Sequence, residues 1–269
     1  MSFIPNNILL SSDNNTYLFT GNINNKLENI VFTSNIKSED ILENLRNINF
    51  CEFKKFPKEK NKDLENLHFI PMCYVFNFLV FLNIYKGNKY PIPTYLEFCN
   101  FFFSSYCEEI NNKVHFKEKY GNSKVYFTKE ELYARLGRTY PSFCREFYVK
   151  TVLNELREQY LDFNINIIYD LNLDLNGVDI LVNIDKKDFG IAISDYTNRA
   201  EFYKNIKMKT RHNYEDDNLI LEDKTLKMFT LKTDVLKTNK DEIKLPSKIK
   251  IEQLLKEMII ELYPYLKSC

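Results

Sequence analysis

The feature that most constrains this chain is a change of hydrophobic period in its second half. Val149, Val152, Leu153, Leu156 and Tyr160 recur at the three-to-four-residue spacing of a helix. The apolar residues then gather into short β-branched runs over residues 165–169, 179–184 and 189–194, bounded by turn formers. Helical spacing resumes near Ala200, and residues 229–231 offer one more strand. A helix followed by three strands and a helix commits residues 140–229 to a mixed α/β core.

The 269-residue chain is long enough for one large domain or two modest ones. We divide it into an N-terminal mixed, largely helical subdomain over residues 1–137 and a core with a C-terminal helix over residues 138–269. In the first part, residues 17–20 and 30–33 are β-like, and Ser38-Glu39-Asp40 opens a short helix. The charged stretch 54–62, with Pro57 inside it, reads as a linker or exposed loop. Two aromatic helices follow between Leu67 and Tyr106, broken at residues 86–93, and residues 111–124 read as a loop or hairpin. Thr128 and Glu131 have the spacing of a capping box, opening a helix expected to stop at Gly137. A second helix is expected to start near Pro141, at a first-turn position where proline's missing N–H costs nothing. These two helices resemble the paired unit of a helix-turn-helix; packing of a helical subdomain on the core is the plainer expectation. An amphipathic helix over residues 251–262 closes the chain between Pro246 and Pro264.

Lys plus Arg total 37 and Asp plus Glu total 37, so a globally basic nucleic-acid binder is excluded and charge has to be read locally. The six cysteines form no C-x-x-C pair and only three histidines occur, which argues against a zinc site. The opening Met-Ser-Phe-Ile-Pro-Asn-Asn shows no basic stretch followed by an apolar run, so a cytoplasmic location with reduced thiols is expected. Residues 69–85 are apolar but interrupted by Pro71, Asn77 and Asn83. The run is also shorter than the about 20 residues a bilayer demands, so it is read as a buried helix and no membrane partner is expected.

Phosphodiester hydrolysis requires oxygen ligands to hold Mg2+ over the scissile phosphate. Asp179, in Asn176-Gly177-Val178-Asp179, stands at the start of a strand, and Glu155 lies on the helix before it, with Glu146 and Glu158 as competing acids. From Lys204 to His212 the chain carries Lys204, Lys207, Lys209 and Arg211 with no acid between them, a run suited to phosphate contacts. Arg138, Arg145 and Arg199 are further candidates for such contacts.

The segment resembles the PD-(D/E)XK restriction-endonuclease-like superfamily, in which a helix supplies a Glu, one strand a G-x-D and the next an acid-x-Lys. Gly177-Val178-Asp179 matches the first strand, and Glu155 best fits the helix acid. Where the family has acid-x-Lys, this chain has Ala192-Ile193-Ser194. Some members of the superfamily carry the lysine on the following helix, which makes Lys204 and Lys207 the candidates here, and Asp195 could replace the lost acid. The resemblance covers about 75 residues. It implies a restriction-endonuclease-like core and Mg2+-dependent cleavage of DNA of the restriction or phage-defence type. Asp179, Glu155 and Asp195 would be metal ligands, and Glu155, Asp179, Lys204 and Lys207 the catalytic set.

Each of these residues also has a plain structural reading. Gly177-Val178-Asp179 could be an ordinary hairpin exit, since Asn-Gly is a strong hairpin turn signal, Glu155 could face solvent, and Arg145 and the lysine run could be solvated helix faces. The degenerate third motif therefore opens a second function, a nuclease fold that binds DNA without cutting. A third is a structural adaptor subunit of a nucleoprotein assembly. Beyond DNA, the expected partners are other protein subunits or a second copy of the chain in a homodimer.

Overall fold

A computed structural model describes residues 8–10, 17–19, 36–48, 64, 69–111, 113–117, 126–168, 177–194, 213–215, 218–220, 225–233 and 243–268. The fold is mixed α/β. In chain order, the described elements are β1 (Ile8–Leu10), β2 (Tyr17–Phe19), α1 (Ser38–Asn47), α2 (Phe69–Tyr85), α3 (Tyr95–Tyr106), β3 (Cys107–Ile110), β4 (Lys113–Phe116) and α4 (Lys129–Arg157). There follow β5 (Ile165–Ile168), β6 (Ile180–Ile184), β7 (Lys187–Ser194), β8 (Asn213–Glu215), β9 (Asn218–Ile220), β10 (Thr225–Lys232) and α5 (Lys248–Leu262). The chain forms two compact units: Met1–Asn35 with Asp40–Phe143, and Ile36–Glu39 with Cys144–Cys269.

The first unit is built around aromatic rings. Along α2, Met72, Val75, Phe76, Phe78 and Val80 are all at most 1% exposed, so this apolar helix is a core element. No helix among the described residues is long and apolar enough to cross a membrane. The rings of Phe76, Phe98, Tyr140 and Phe143 pack edge-on or tilted, with Phe76 and Phe143 5.3 Å apart. Thr128 and Glu131 close the capping box that their spacing predicts at the start of α4, and Thr94 and Glu97 close a further one at the start of α3. β3 and β4 pair as an antiparallel hairpin, and Asn111 in its turn has a left-handed φ of 52°. That places the hairpin ahead of most of the polar stretch assigned to it, because Val114 and Phe116 are buried pairing residues.

The expected helix stop at Gly137 and restart near Pro141 do not occur: α4 runs unbroken through both. Gly137 is there for packing. A Cβ at this position would stand 3.0 Å from the Tyr95 hydroxyl oxygen, and Tyr95 is fully buried and donates to the Tyr133 carbonyl at 2.6 Å. A proline inside a helix costs about 3 kcal/mol through the lost hydrogen bond and ring clash. The burial of Tyr140, Phe143 and Cys144 beside Pro141, and the bond from the Tyr140 hydroxyl to the Pro93 carbonyl, offset that cost. With no turn between the two stretches, the helix-turn-helix expectation falls.

The second unit holds a six-stranded mixed sheet in the order β5-β6-β7-β10-β9-β8. β5, β6 and β7 form an antiparallel meander, and β10 joins β7 in parallel. β6 and β7 are joined by a two-residue turn at Asp185 and Lys186, both left-handed at φ 47° and 75°. Phe189, Ile191 and Ile193 share one sheet face with their register partners Lys227, Phe229 and Leu231. Lys227 reaches Glu261 of α5 at 3.9 Å, which puts α5 over that face. The opposite face carries Leu181, Gly190 and Met228 in register. The helix expected from Ala200, the β-like run at residues 30–33 and the charged stretch 54–62 lie outside the described residues.

Candidate functional site

Gly177 is left-handed at φ 84°, a conformation glycine adopts without strain. The next residue, Val178, is 2% exposed and packs with Leu181, Leu226 and Met228. A Cβ on Gly190 would fall 2.3 Å from the Met228 sulfur, so that glycine makes room for the same cluster. This anchoring fixes Asp179 just before β6. The Asp179 N–H donates to the Ile191 carbonyl at 2.9 Å, and the Asp179 carboxylate accepts from the Ile193 backbone N–H. Side chain thus takes over from main chain where the β6–β7 ladder ends at Ile180–Ile191.

Gly177 leads into β6 at the end of a long connection: β5 and β6 pair antiparallel from Ile168↔Leu181 outward, with no two-residue turn between them. The tight turn of the meander is Asp185-Lys186 instead. The Asp185 carboxylate accepts from the Asn164 N–H at 2.9 Å and from the Tyr263 hydroxyl at 2.7 Å. Those two bonds hold its carboxyl below the ordinary range against a small opposing effect of burial.

The structure brings Asp179 directly to Ile193, the middle residue of the Ala192-Ile193-Ser194 segment that stands in place of acid-x-Lys. Glu155 has partners of its own. Its carboxylate accepts from the Ser38 backbone N–H, from the Ser38 hydroxyl at 2.8 Å and from the Lys248 ammonium at 2.8 Å. Burial works to raise the Glu155 pKa; the bonds from Lys248 and Ser38 together outweigh it and hold the carboxyl below its ordinary value. An acid so engaged has few lone pairs left for a metal, and would have to give up Lys248 or Ser38 to bind one.

Of the competing acids, Glu146 on α4 is buried and Glu158, just past the end of α4, is exposed. Arg138 is exposed and Arg145 half-buried along the same helix. Asp195, Arg199, Lys204, Lys207, Lys209 and Arg211 lie outside the described residues. Among the described residues, no group of three or more His, Cys, Asp or Glu side chains is placed to hold a metal ion. Cys73, Cys99, Cys107 and Cys144 are buried cysteines outside any disulfide, and burial pushes the Cys107 thiol up to about 12, against a smaller opposing pull from Lys117.

Lys232 was not among the sequence-derived candidates. It ends β10, and its Cα is the register partner of Ser194. The backbone ladder continues past it, with the Thr233 N–H donating to the Ser194 carbonyl at 3.0 Å. The run 229–231 offers a strand, but nothing local in the sequence tells which strand it pairs with. No family model, curated protein or solved structure matches the chain.

Proposed function

We propose that the sheet end formed by Asp179 and the close of β7 is a phosphodiester-cleaving site, and that the protein is a cytoplasmic, metal-dependent endonuclease acting on DNA, of the restriction or phage-defence type. The observation that carries this reading is the seat of the Asp179 carboxylate on the Ile193 N–H. It sets the G-x-D acid against the strand segment that the resemblance pairs with it.

Mg2+ prefers hard oxygen donors. The Asp179 carboxylate and the Ser194 hydroxyl are of that kind, and Asp195, next in sequence, would supply a second carboxylate. The donor chemistry therefore fits, with Asp179 and Asp195 as the residues that would hold the ion. When bound, the ion supplies polarisation of the phosphate and an acidified water. In the reaction, water adds to phosphorus, one bridging P–O bond breaks, and the departing oxygen takes up a proton. The chain orients: Asp179 is fixed by its backbone bond, and Lys204, Lys207, Lys209 and Arg211 neutralise flanking phosphates. Glu155 serves the fold through Ser38 and Lys248.

A second reading, a DNA binder that no longer cuts, is favoured by Ala192, which supplies no acid at the third motif. Nicking of supercoiled DNA by the full chain in Mg2+ or Mn2+ separates the two. Conversion to open-circle or linear product supports the endonuclease. Intact plasmid in both metals, with DNA bound, supports the binder.

A further inference from the structure

We propose that Met228 is a reversible oxidation site whose sulfoxide loosens the seat of Asp179. Few sulfurs of this chain lie open to a peroxide. Among the described residues, Cys73, Cys99, Cys107 and Cys144 are at most 3% exposed, and Met72 and Met258 are fully buried. Burial also keeps the Cys107 thiol protonated, whereas the thiolate is the form that attacks an oxidant. Met228 differs on both counts. It is only half-buried, packed against the small cluster of Val178, Leu181 and Leu226. A thioether has no proton to lose before it reacts, so exposure decides which methionine is oxidised.

The place of the sulfur makes its oxidation consequential. Met228 pairs with Gly190 across the ladder, on the sheet face that carries Leu181. A side-chain carbon on Gly190 would stand 2.3 Å from the Met228 sulfur and 3.3 Å from Val178 Cγ1. Sulfur and valine methyl thus close over the glycine together, and on that side the sulfur rests against backbone. Val178 is 2% exposed and is followed directly by Asp179. Asp179 is tied to β7 twice, through its N–H to the Ile191 carbonyl and its carboxylate to the Ile193 N–H. In the oxidation, the sulfur lone pair takes one peroxide oxygen as the O–O bond breaks. The sulfur gives up two electrons, and the other oxygen leaves as hydroxide, which becomes water with the proton of the new S–OH. The product is a polar acceptor in a cluster that offers only Val178, Leu181 and Leu226, so it turns to water and Val178 loses the packing that seats it. A methionine sulfoxide reductase reverses the step with two electrons from a dithiol, releasing the oxygen as water.

This inference needs neither DNA nor a metal, so it stands or falls apart from the endonuclease reading. The test treats the full chain with hydrogen peroxide, locates the added oxygen by peptide mass spectrometry, and follows amide hydrogen exchange by NMR. Met228→Leu, a swap of similar volume that takes up no oxygen there, is the control. We expect Met228 to be oxidised ahead of Met72 and Met258. We expect the Asp179 and Ile193 amides of the oxidised protein to exchange at least about tenfold faster through local opening, with the Val182 and Ile184 amides unchanged. A methionine sulfoxide reductase with dithiothreitol should restore the original rates, a readout that stands even where the leucine variant folds poorly. Peroxide should leave both amides of Met228→Leu unchanged, which separates the effect from oxidation of Met1 or Met208. The inference is overturned if Met72 or Met258 is oxidised as fast as Met228, or if oxidised Met228 leaves the Asp179 and Ile193 rates where they were. It is overturned equally if peroxide speeds those amides as much in Met228→Leu.

Discussion

Glu155 and Lys248 meet at 2.8 Å, carboxylate to ammonium, across 93 residues of chain. The pair joins the end of α4 to the first turn of α5, and the two bonds from Ser38 bring the start of α1 to the same carboxylate. Glu155→Ala removes all three. Because Lys248 is 41% exposed, solvent screens its share, and most of the loss comes from Ser38. The expected cost is about 1–3 kcal/mol, read from denaturant melts. Magnesium affinity, measured by titration calorimetry on the folded variant, should not change. A large loss of affinity with unchanged stability would return Glu155 to the metal site.

The same cluster sets a pH dependence. The Glu155 carboxyl is held below its ordinary value of 4.5, so its contribution is fully present above that pH and is lost as pH falls through the lower, folded value. Lys248 is raised above its ordinary 10.5, chiefly by its bond to Glu155, so its contribution is present below that pH and is lost as pH rises through the folded value. The difference in melting temperature between wild type and Glu155→Gln should therefore be flat near neutrality and shrink below about pH 4.5. A difference that grows on acidification would contradict this.

The Asp185-Lys186 turn stores backbone strain, because two residues with Cβ atoms take left-handed φ angles. Lys186→Gly should relieve that strain and raise stability by about 0.5–1 kcal/mol, partly offset by the greater freedom of an unfolded glycine. Tyr263→Phe should act in the opposite direction, lowering stability through loss of its bond to Asp185. Thermal melts of both variants check the pair of signs.

The basic run offers an independent test of the partner. Replacing Lys204, Lys207 and Lys209 together with Ala should weaken DNA binding and flatten its salt dependence by up to about 0.9 in log-log slope per lost phosphate contact. An unchanged slope would assign that segment to something other than nucleic acid.

Much of this architecture was legible in the sequence because it is local. The strands over residues 165–168, 180–184 and 187–194, and the capping box of Thr128 and Glu131, follow from β-branched apolar runs and cap chemistry within a few residues. What was not legible depends on distant partners. Gly137 and Pro141 look like helix punctuation until Tyr95 is seen against the glycine and the aromatic core beside the proline. The Asp185-Lys186 turn lacks the glycine that marks such turns and leans on Asn164 and Tyr263 instead. Glu155 has the right place on its helix for a metal ligand, but its partners Lys248 and Ser38 lie 93 and 117 residues away. The parallel pairing of β10 with β7 is likewise specified by no local pattern.

The most direct measurement is DNA cleavage by wild type and Asp179→Asn, side by side in Mg2+ and Mn2+. Asparagine keeps an oxygen to accept the Ile193 N–H, so the strand end and DNA binding should survive. It removes the charge that a divalent cation prefers. The account predicts that wild type cuts and that Asp179→Asn loses activity by orders of magnitude at unchanged melting temperature and DNA affinity. Equal cleavage by the two proteins, or no cleavage by wild type in either metal, would contradict it.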